Sequence, residues 1–363
     1  MRRLVREKNP ERMMRLGARE PGDSEGRGGS VAKKFVLRVA ILATLMLVLS
    51  SCARGGGGEG SKTVGYAGPT LNNAFFVGLQ KGVRDGAKEY GFELKETNAN
   101  DDAGTQFNQA QNLITQDVDA LILVPIDSEG IVPAVQAANN ADIPVFTLDR
   151  GANGGEIASE VETNNIQAGQ KAANYIVNLL KERYGKPQGN VVDLQGLVGT
   201  TAAADREKGF QGVMKKYPDI EIVANQPADF NQEKALNVTT NILQANKEVD
   251  AIFGANDDNT VGAIRAIDSA GRYEPPSSDE HIYIVGIDGT AQALQAIRKG
   301  KQTATVSQNP IRMAETAMKF IDQQLNEGKK PPKQFFYPTI IIDKQNIDSQ
   351  EVKEYGIWSK EVQ

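Results

Sequence analysis

From residue 63 onward one pattern runs through the chain and then starts again: a short apolar, β-branched run without polar alternation, then a stretch whose apolar residues recur every three or four positions. Strands that are apolar on both faces must be covered on both faces. A strand–helix–strand rhythm also joins its strands in parallel through crossovers. The first unit reads as strands at 63–66, 92–97, 120–124 and 145–148, with helices at 74–90, 107–116 and 131–139. In the helix at 74–90, Phe76, Leu79, Val83 and Ala87 fall on one face. The second unit has strands at 190–194, 220–223, 251–255 and 282–287, and helices at 202–217, 233–245 and 259–270. A strand at 303–306, a helix at 310–326 and a strand at 339–342 close the chain, and the Pro-rich stretch 271–280 (GRYEPPSSDE) reads as a surface loop. The architecture expected is α/β: two doubly wound parallel-sheet lobes.

In such sheets the carboxyl ends of the strands carry the ligand site. The residues at those ends are polar or aromatic. Asn73, Phe75 and Phe76 follow the first strand, and Asp149 and Arg150 follow the fourth. In the second unit Asn256 and Asp288 follow strands, while Phe230 and Gln308 stand at similar junctions. Asp257 or Asp258 would serve as the N-cap of the helix that begins there.

The beginning of the chain is of another kind. Residues 39–49 (VAILATLMLVL) form one strongly apolar run, preceded by Lys33, Lys34 and Arg38. The run is too short to span a bilayer, which takes about 20 residues, but suits the apolar region of a signal peptide. Small residues then lead into Cys52, the single cysteine of the chain. This spacing matches a bacterial lipobox, in which cleavage leaves Cys52 as a lipidated N-terminus. The first 30 residues mix five acids among the bases, so the true translation start is expected at Val31. After Cys52, residues 53–61 (ARGGGGEGS) read as a flexible tether; no GK[ST] follows the glycines, as a phosphate loop would require.

Charge and chemistry exclude several function classes. Beyond residue 51 the chain holds 30 basic and 41 acidic residues, an acidic body poorly suited to phosphate neutralisation, so nucleic acid is not an expected partner. His281 is the single histidine, which leaves His-based triads and His-rich metal sites without parts. Neither a metal nor a cofactor is expected, and the chain does not read as an enzyme.

Six segments taken in order resemble one family: 70–76 (TLNNAFF), 143–150 (IPVFTLDR), 226–230 (QPADF), 255–257 (AND), 285–290 (VGIDGT) and 304–308 (ATVSQ). They resemble the periplasmic ribose-binding proteins, type I solute-binding components of sugar ABC importers whose fold is shared with the sensory core of LacI-type repressors. The resemblance implies two lobes joined by a three-segment hinge. It places residues 63–163 plus 309–338 in the N-terminal lobe and 164–308 plus 339–363 in the C-terminal lobe, after a leader and signal at 1–51 and a lipidated tether at 52–62.

By the same resemblance Asn73, Asp149, Arg150, Arg206, Asn256, Asp288 and Gln308 hydrogen-bond a sugar's hydroxyls, and Phe75, Phe76 and Phe230 cover its ring faces. The chemistry agrees, since hydroxyls both donate and accept around the rim while C–H patches lie on the faces. Arg206, inside a helix, could equally lie on a solvated face. One position departs from the family: Val124 stands before Pro125 where an asparagine contact is usual. The implied function is a monosaccharide-binding lipoprotein of an ABC importer, outside the cytoplasmic membrane and monomeric, with the permease as partner. D-ribose is the first candidate, and allose, fructose, xylose or a furanose-like signal molecule are alternatives. A LacI-type regulator would need a helix-turn-helix where this chain has a signal and a glycine tether. A sugar hydrolase would use carboxyls such as Asp149 and Asp288 for acid–base work.

Overall fold

The computed structural model describes residues 61–356 and Trp358. The leader, Cys52 and most of the tether lie outside these residues.

Strand β1 (Thr63–Gly68) pairs in parallel with both β2 (Glu93–Asn98) and β3 (Ala120–Leu123). Beyond β3 come β4 (Val145–Leu148) and β5 (Ser159–Thr163), all parallel. The second sheet repeats the plan with β6 (Gly189–Gln195), β7 (Ile220–Pro227), β8 (Ala251–Gly254), β9 (Tyr283–Asp288) and β10 (Ala304–Ser307). Two late strands close the sheets: β11 (Gln334–Tyr337) lies parallel to β5, and β12 (Ile340–Asp343) runs antiparallel to β10. The resulting orders are β11-β5-β4-β3-β1-β2 and β12-β10-β9-β8-β6-β7. In both, strand order reverses at the first strand of the unit, which opens the crevice where doubly wound sheets bind ligands. The chain passes between sheets after β5, after β10 and after β11.

The helices, in chain order, are α1 (Ala74–Tyr90), α2 (Ala103–Thr115), α3 (Val132–Asn140), α4 (Asn165–Tyr184), α5 (Thr201–Met214), α6 (Gln232–Ala245), α7 (Asp257–Ser269), α8 (Ala291–Arg298) and α9 (Pro310–Leu325). β3 (ALIL) is buried along its whole length, as a central strand covered by helices must be. Helix α1 starts where the Asn73 side chain accepts the Phe75 N–H and stops at Gly91, which turns the chain at φ 73. Helices α4 and α5 cross in close contact through two glycines. A Cβ at Gly169 would stand 2.2 Å from the Arg206 carbonyl oxygen, and one at Gly209 would stand 2.1 Å from that of Ile166. This approach brings Asn165 within reach of Arg206.

The two doubly wound sheets agree with the sequence reading. The strand β5, the helices α4 and α8 and the strand β11 were not foreseen, nor was the antiparallel pairing of β12. The stretch 271–280 is a loop without helix or strand. Among the described residues no helix is long and apolar enough to cross a membrane.

Candidate functional site

The nine residues singled out at strand ends and junctions converge, with Arg206, on one cavity, which Ala202 at the start of α5 completes. From the first sheet come Asn73, Phe75 and Phe76 at the start of α1, and Asp149 and Arg150 after β4. Arg206 of α5, Phe230 after β7, Asn256 after β8 and Asp288 at the end of β9 come from the second. Gln308 lies at the crossing after β10.

Three cavity residues lie at positive φ: Asp149 (φ 66), where an Asp is tolerated, and Phe230 (φ 56) and Asp288 (φ 137), whose backbone is strained. At Asp149 the chain reverses within three residues, the Arg150 N–H donating to the Leu148 carbonyl at 2.8 Å. Strain of this kind persists where the surroundings over-determine it, which is typical of ligand clamps.

The aromatic walls carry charge on their faces. Phe75 and Phe76 meet edge to face at 5.6 Å. The Arg150 guanidinium lies 4.9 Å from the centre of the Phe76 ring and 5.5 Å from that of Phe230, and Arg206 approaches Phe230 to 5.6 Å. Arg206 is fixed by Asn165 Oδ1 at 2.9 Å and the Ala255 carbonyl at 2.8 Å, with Asp288 Oδ1 3.8 Å away. Gln308 Nε2 donates to Asp288 Oδ1 at 2.6 Å while its own Oε1 accepts from Thr163 Oγ1 at 2.6 Å. Both cavity carboxyls are pushed above the ordinary range. Burial is the larger cause; Arg150 and Arg206 pull Asp149 back, and Arg206 does so for Asp288.

Two buried polar atoms at the cavity have no protein partner: Asp149 Oδ1 and Arg150 Nε. The nearest opposite charge, Asp149 Oδ2, stands 3.7 Å from that Nε. One acceptor and one donor, side by side between aromatic faces, can engage a hydroxyl that donates and accepts at once. Around the rim the two halves of the molecule are joined by hydrogen bonds. Asn73 Nδ2 donates to Asp258 Oδ2 at 2.6 Å, Ser128 N–H to the Gly199 carbonyl at 3.0 Å, and Gly151 N–H to Thr201 Oγ1 at 3.0 Å.

Comparison with known proteins decides the family. The periplasmic binding protein domain matches residues 64–330, most of the chain. This chain belongs to the periplasmic binding protein family. The ribose import binding protein of Bacillus subtilis (strain 168) is 34% identical over 310 residues, 83% of this chain and 96% of that protein. The D-allose-binding periplasmic protein of Escherichia coli (strain K12) is 31% identical over 272 residues, 72% of this chain and 84% of its own. Among solved structures, an ABC transporter periplasmic solute binding protein from Actinobacillus succinogenes 130z with bound D-allose is 29% identical. It matches with a TM-score of 0.71, over 81% of this chain and 100% of that one.

In this periplasmic binding protein several expectations need correction. Asn256, not Asp257 or Asp258, caps α7, its Oδ1 accepting the Asn259 N–H at 2.9 Å. Asp257 is a buried staple: its carboxylate takes the N–H groups of Gly289 and Thr290 and the Thr305 hydroxyl, each at 2.8 Å. Arg206 is not on a solvated face; it is 3% exposed. Val124, at the position where the family pattern has asparagine, is fully buried in the first core cluster, which also holds Phe75 and Phe76 of the cavity. His281 is buried against Tyr283 and hydrogen-bonded to the Glu274 carbonyl at 2.7 Å, a structural role. Among the described residues no group of three or more His, Cys, Asp or Glu side chains is placed to hold a metal. Ala202 and the rim partners Ser128, Thr201 and Asp258 were not anticipated. They become visible only when the two sheets face each other.

Proposed function

We propose that this periplasmic binding protein captures one monosaccharide between two lobes, D-ribose being the first candidate, and presents it to the permease of an ABC importer. The observation that carries the reading is the pair Asp149 Oδ1 and Arg150 Nε, buried without partners at a cavity lined by three phenylalanines. Buried polar atoms are nearly always paired, so atoms left alone in a concave site point to a ligand that pairs them. The similarity to the ribose import binding protein favours ribose, and that to the D-allose-binding protein makes allose the second candidate.

The lobes that move are taken as residues 63–163 plus 309–338 and 164–308 plus 339–363, with the three sheet-to-sheet crossings as the hinge. A ligand that touches both lobes binds best when they are closed, so its differential affinity shifts the hinge towards closure. The importer then reads closure as the sign of cargo. The protein is taken to work as a monomer without a cofactor, held outside the cytoplasmic membrane by lipid on Cys52. A thermal-shift screen of monosaccharides followed by calorimetry tests the reading. Sugar at 100 times its Kd should add about 2.7 kcal/mol of stability. A screen in which no pentose or hexose raises the melting temperature would remove the proposal.

A further inference from the structure

The tail after β12 makes a short π-helical turn at Val352–Gly356 and then delivers Trp358, the single tryptophan of the chain, into the interior. Trp358 is 1% exposed, although the residues around it in sequence are mostly polar. Ser307 Oγ pins the turn by donating to the Gly356 carbonyl at 2.7 Å. The indole then lies over Gly78 of α1, where a Cβ would stand 3.2 Å from Cζ3. The same Cβ would stand 3.0 Å from Pro310 Cγ, so a larger residue at Gly78 would need the ring and Pro310 to give by a few tenths of an ångström.

Trp358 touches a cavity residue from each sheet. Its ring meets Phe75 edge to face at 6.1 Å and 89°. Its Nε1 donates to the Asp288 carbonyl at 2.9 Å. Asp288 holds a φ of 137, which its neighbours must impose, and the two N–H groups on its carbonyl are those of Trp358 and Gln308 (3.0 Å). A tryptophan that only filled the core would need neither contact; one that spans Phe75 and Asp288 ties the two walls of the site together in this closed arrangement.

We propose that Trp358 is a positioning residue of this site, a C-terminal wedge behind the cavity that holds Phe75 and Asp288 in the geometry that binds sugar. The proposal rests on the sugar-binding reading above. Trp358→Phe in the otherwise intact mature protein is the direct test: it keeps an aromatic ring towards Phe75, removes the N–H to Asp288 and leaves a space where the second ring of the indole lay. The Asp288 carbonyl keeps its bond from Gln308, so the variant should fold, with a sugar-free melting temperature lowered by the lost volume. Affinity for the best sugar of the panel should fall about three- to tenfold, the worth of one hydrogen bond, and the loss should lie in the dissociation rate. In the wild type, saturation with that sugar should change the emission of Trp358. An unchanged Kd, a loss that lies in the association rate alone, or an emission that stays constant while calorimetry reports saturation would each overturn the proposal. A wild type that binds none of the sugars is a different result, refuting the sugar reading itself and this role with it.

Discussion

Asp149→Asn separates the cost of holding a buried carboxylate from its use. The wild-type side chain is buried, its Oδ1 has no partner, and burial outweighs Arg150 and Arg206 in raising its pKa. A carboxyl whose folded pKa is raised binds protons more readily folded than unfolded. Its charge therefore detracts from stability once pH exceeds the ordinary carboxyl range. Asparagine has nearly the same shape and tolerates the φ of 66, so it removes the charge without disturbing the turn. To the extent that the closed form is populated without sugar, the variant should melt higher than the wild type at pH 7, with the advantage shrinking as the pH falls and the wild-type carboxyl protonates. Sugar binding should move the other way. A hydroxyl donating to a carboxylate contributes about 1.5–3 kcal/mol and one donating to a neutral amide about 1 kcal/mol. The net loss of about 0.5–2 kcal/mol corresponds to a Kd raised roughly two- to thirtyfold. Scanning fluorimetry from pH 4 to pH 8 measures the first effect, and calorimetry with the best sugar the second. Stability and affinity falling together, or an unchanged Kd, would refute the reasoning.

Three further outcomes follow from the same account. Glu162 is pushed up to about 8, by burial first and Glu160 second, against a hydrogen bond from Gln334. Its contribution to stability therefore declines as pH rises from the ordinary 4.5 to about 8, and Glu162→Gln should gain melting temperature over the wild type across that window; parallel pH profiles would contradict this. Phe230→Ala removes the aromatic face supplied by the second sheet, and calorimetry should find affinity lower by about 0.5–1.5 kcal/mol, roughly two- to twelvefold. Cys52→Ser should move the protein from the membrane to the soluble fraction on fractionation, because stable anchoring takes two lipid signals and the variant has none.

Much of the site was legible because its residues stand where a doubly wound sheet must place a ligand. Asp149, Arg150, Asn256 and Asp288 end strands whose apolar runs are plain in the sequence, and all four line the cavity. What stayed hidden depends on contacts between distant parts of the chain. β5 reads SEVET, and its two glutamates mask a strand whose Val161 is fully buried. The first half of α4 buries Ala168, Gly169, Ala172 and Ala173, small residues that give a weak apolar signal however tightly they pack. The direction of β12 is set by its pairing with β10, since residues 340–343 would suit either.

The most direct test of a sugar held between closing lobes is small-angle scattering of the mature protein before and after saturation with the sugar that calorimetry identifies. Without sugar, Asp149 Oδ1 and Arg150 Nε gain partners by opening to water, so the open form should dominate. With sugar those groups are paired in the closed form, and the radius of gyration should fall. A radius that stays the same at confirmed saturation would contradict the account.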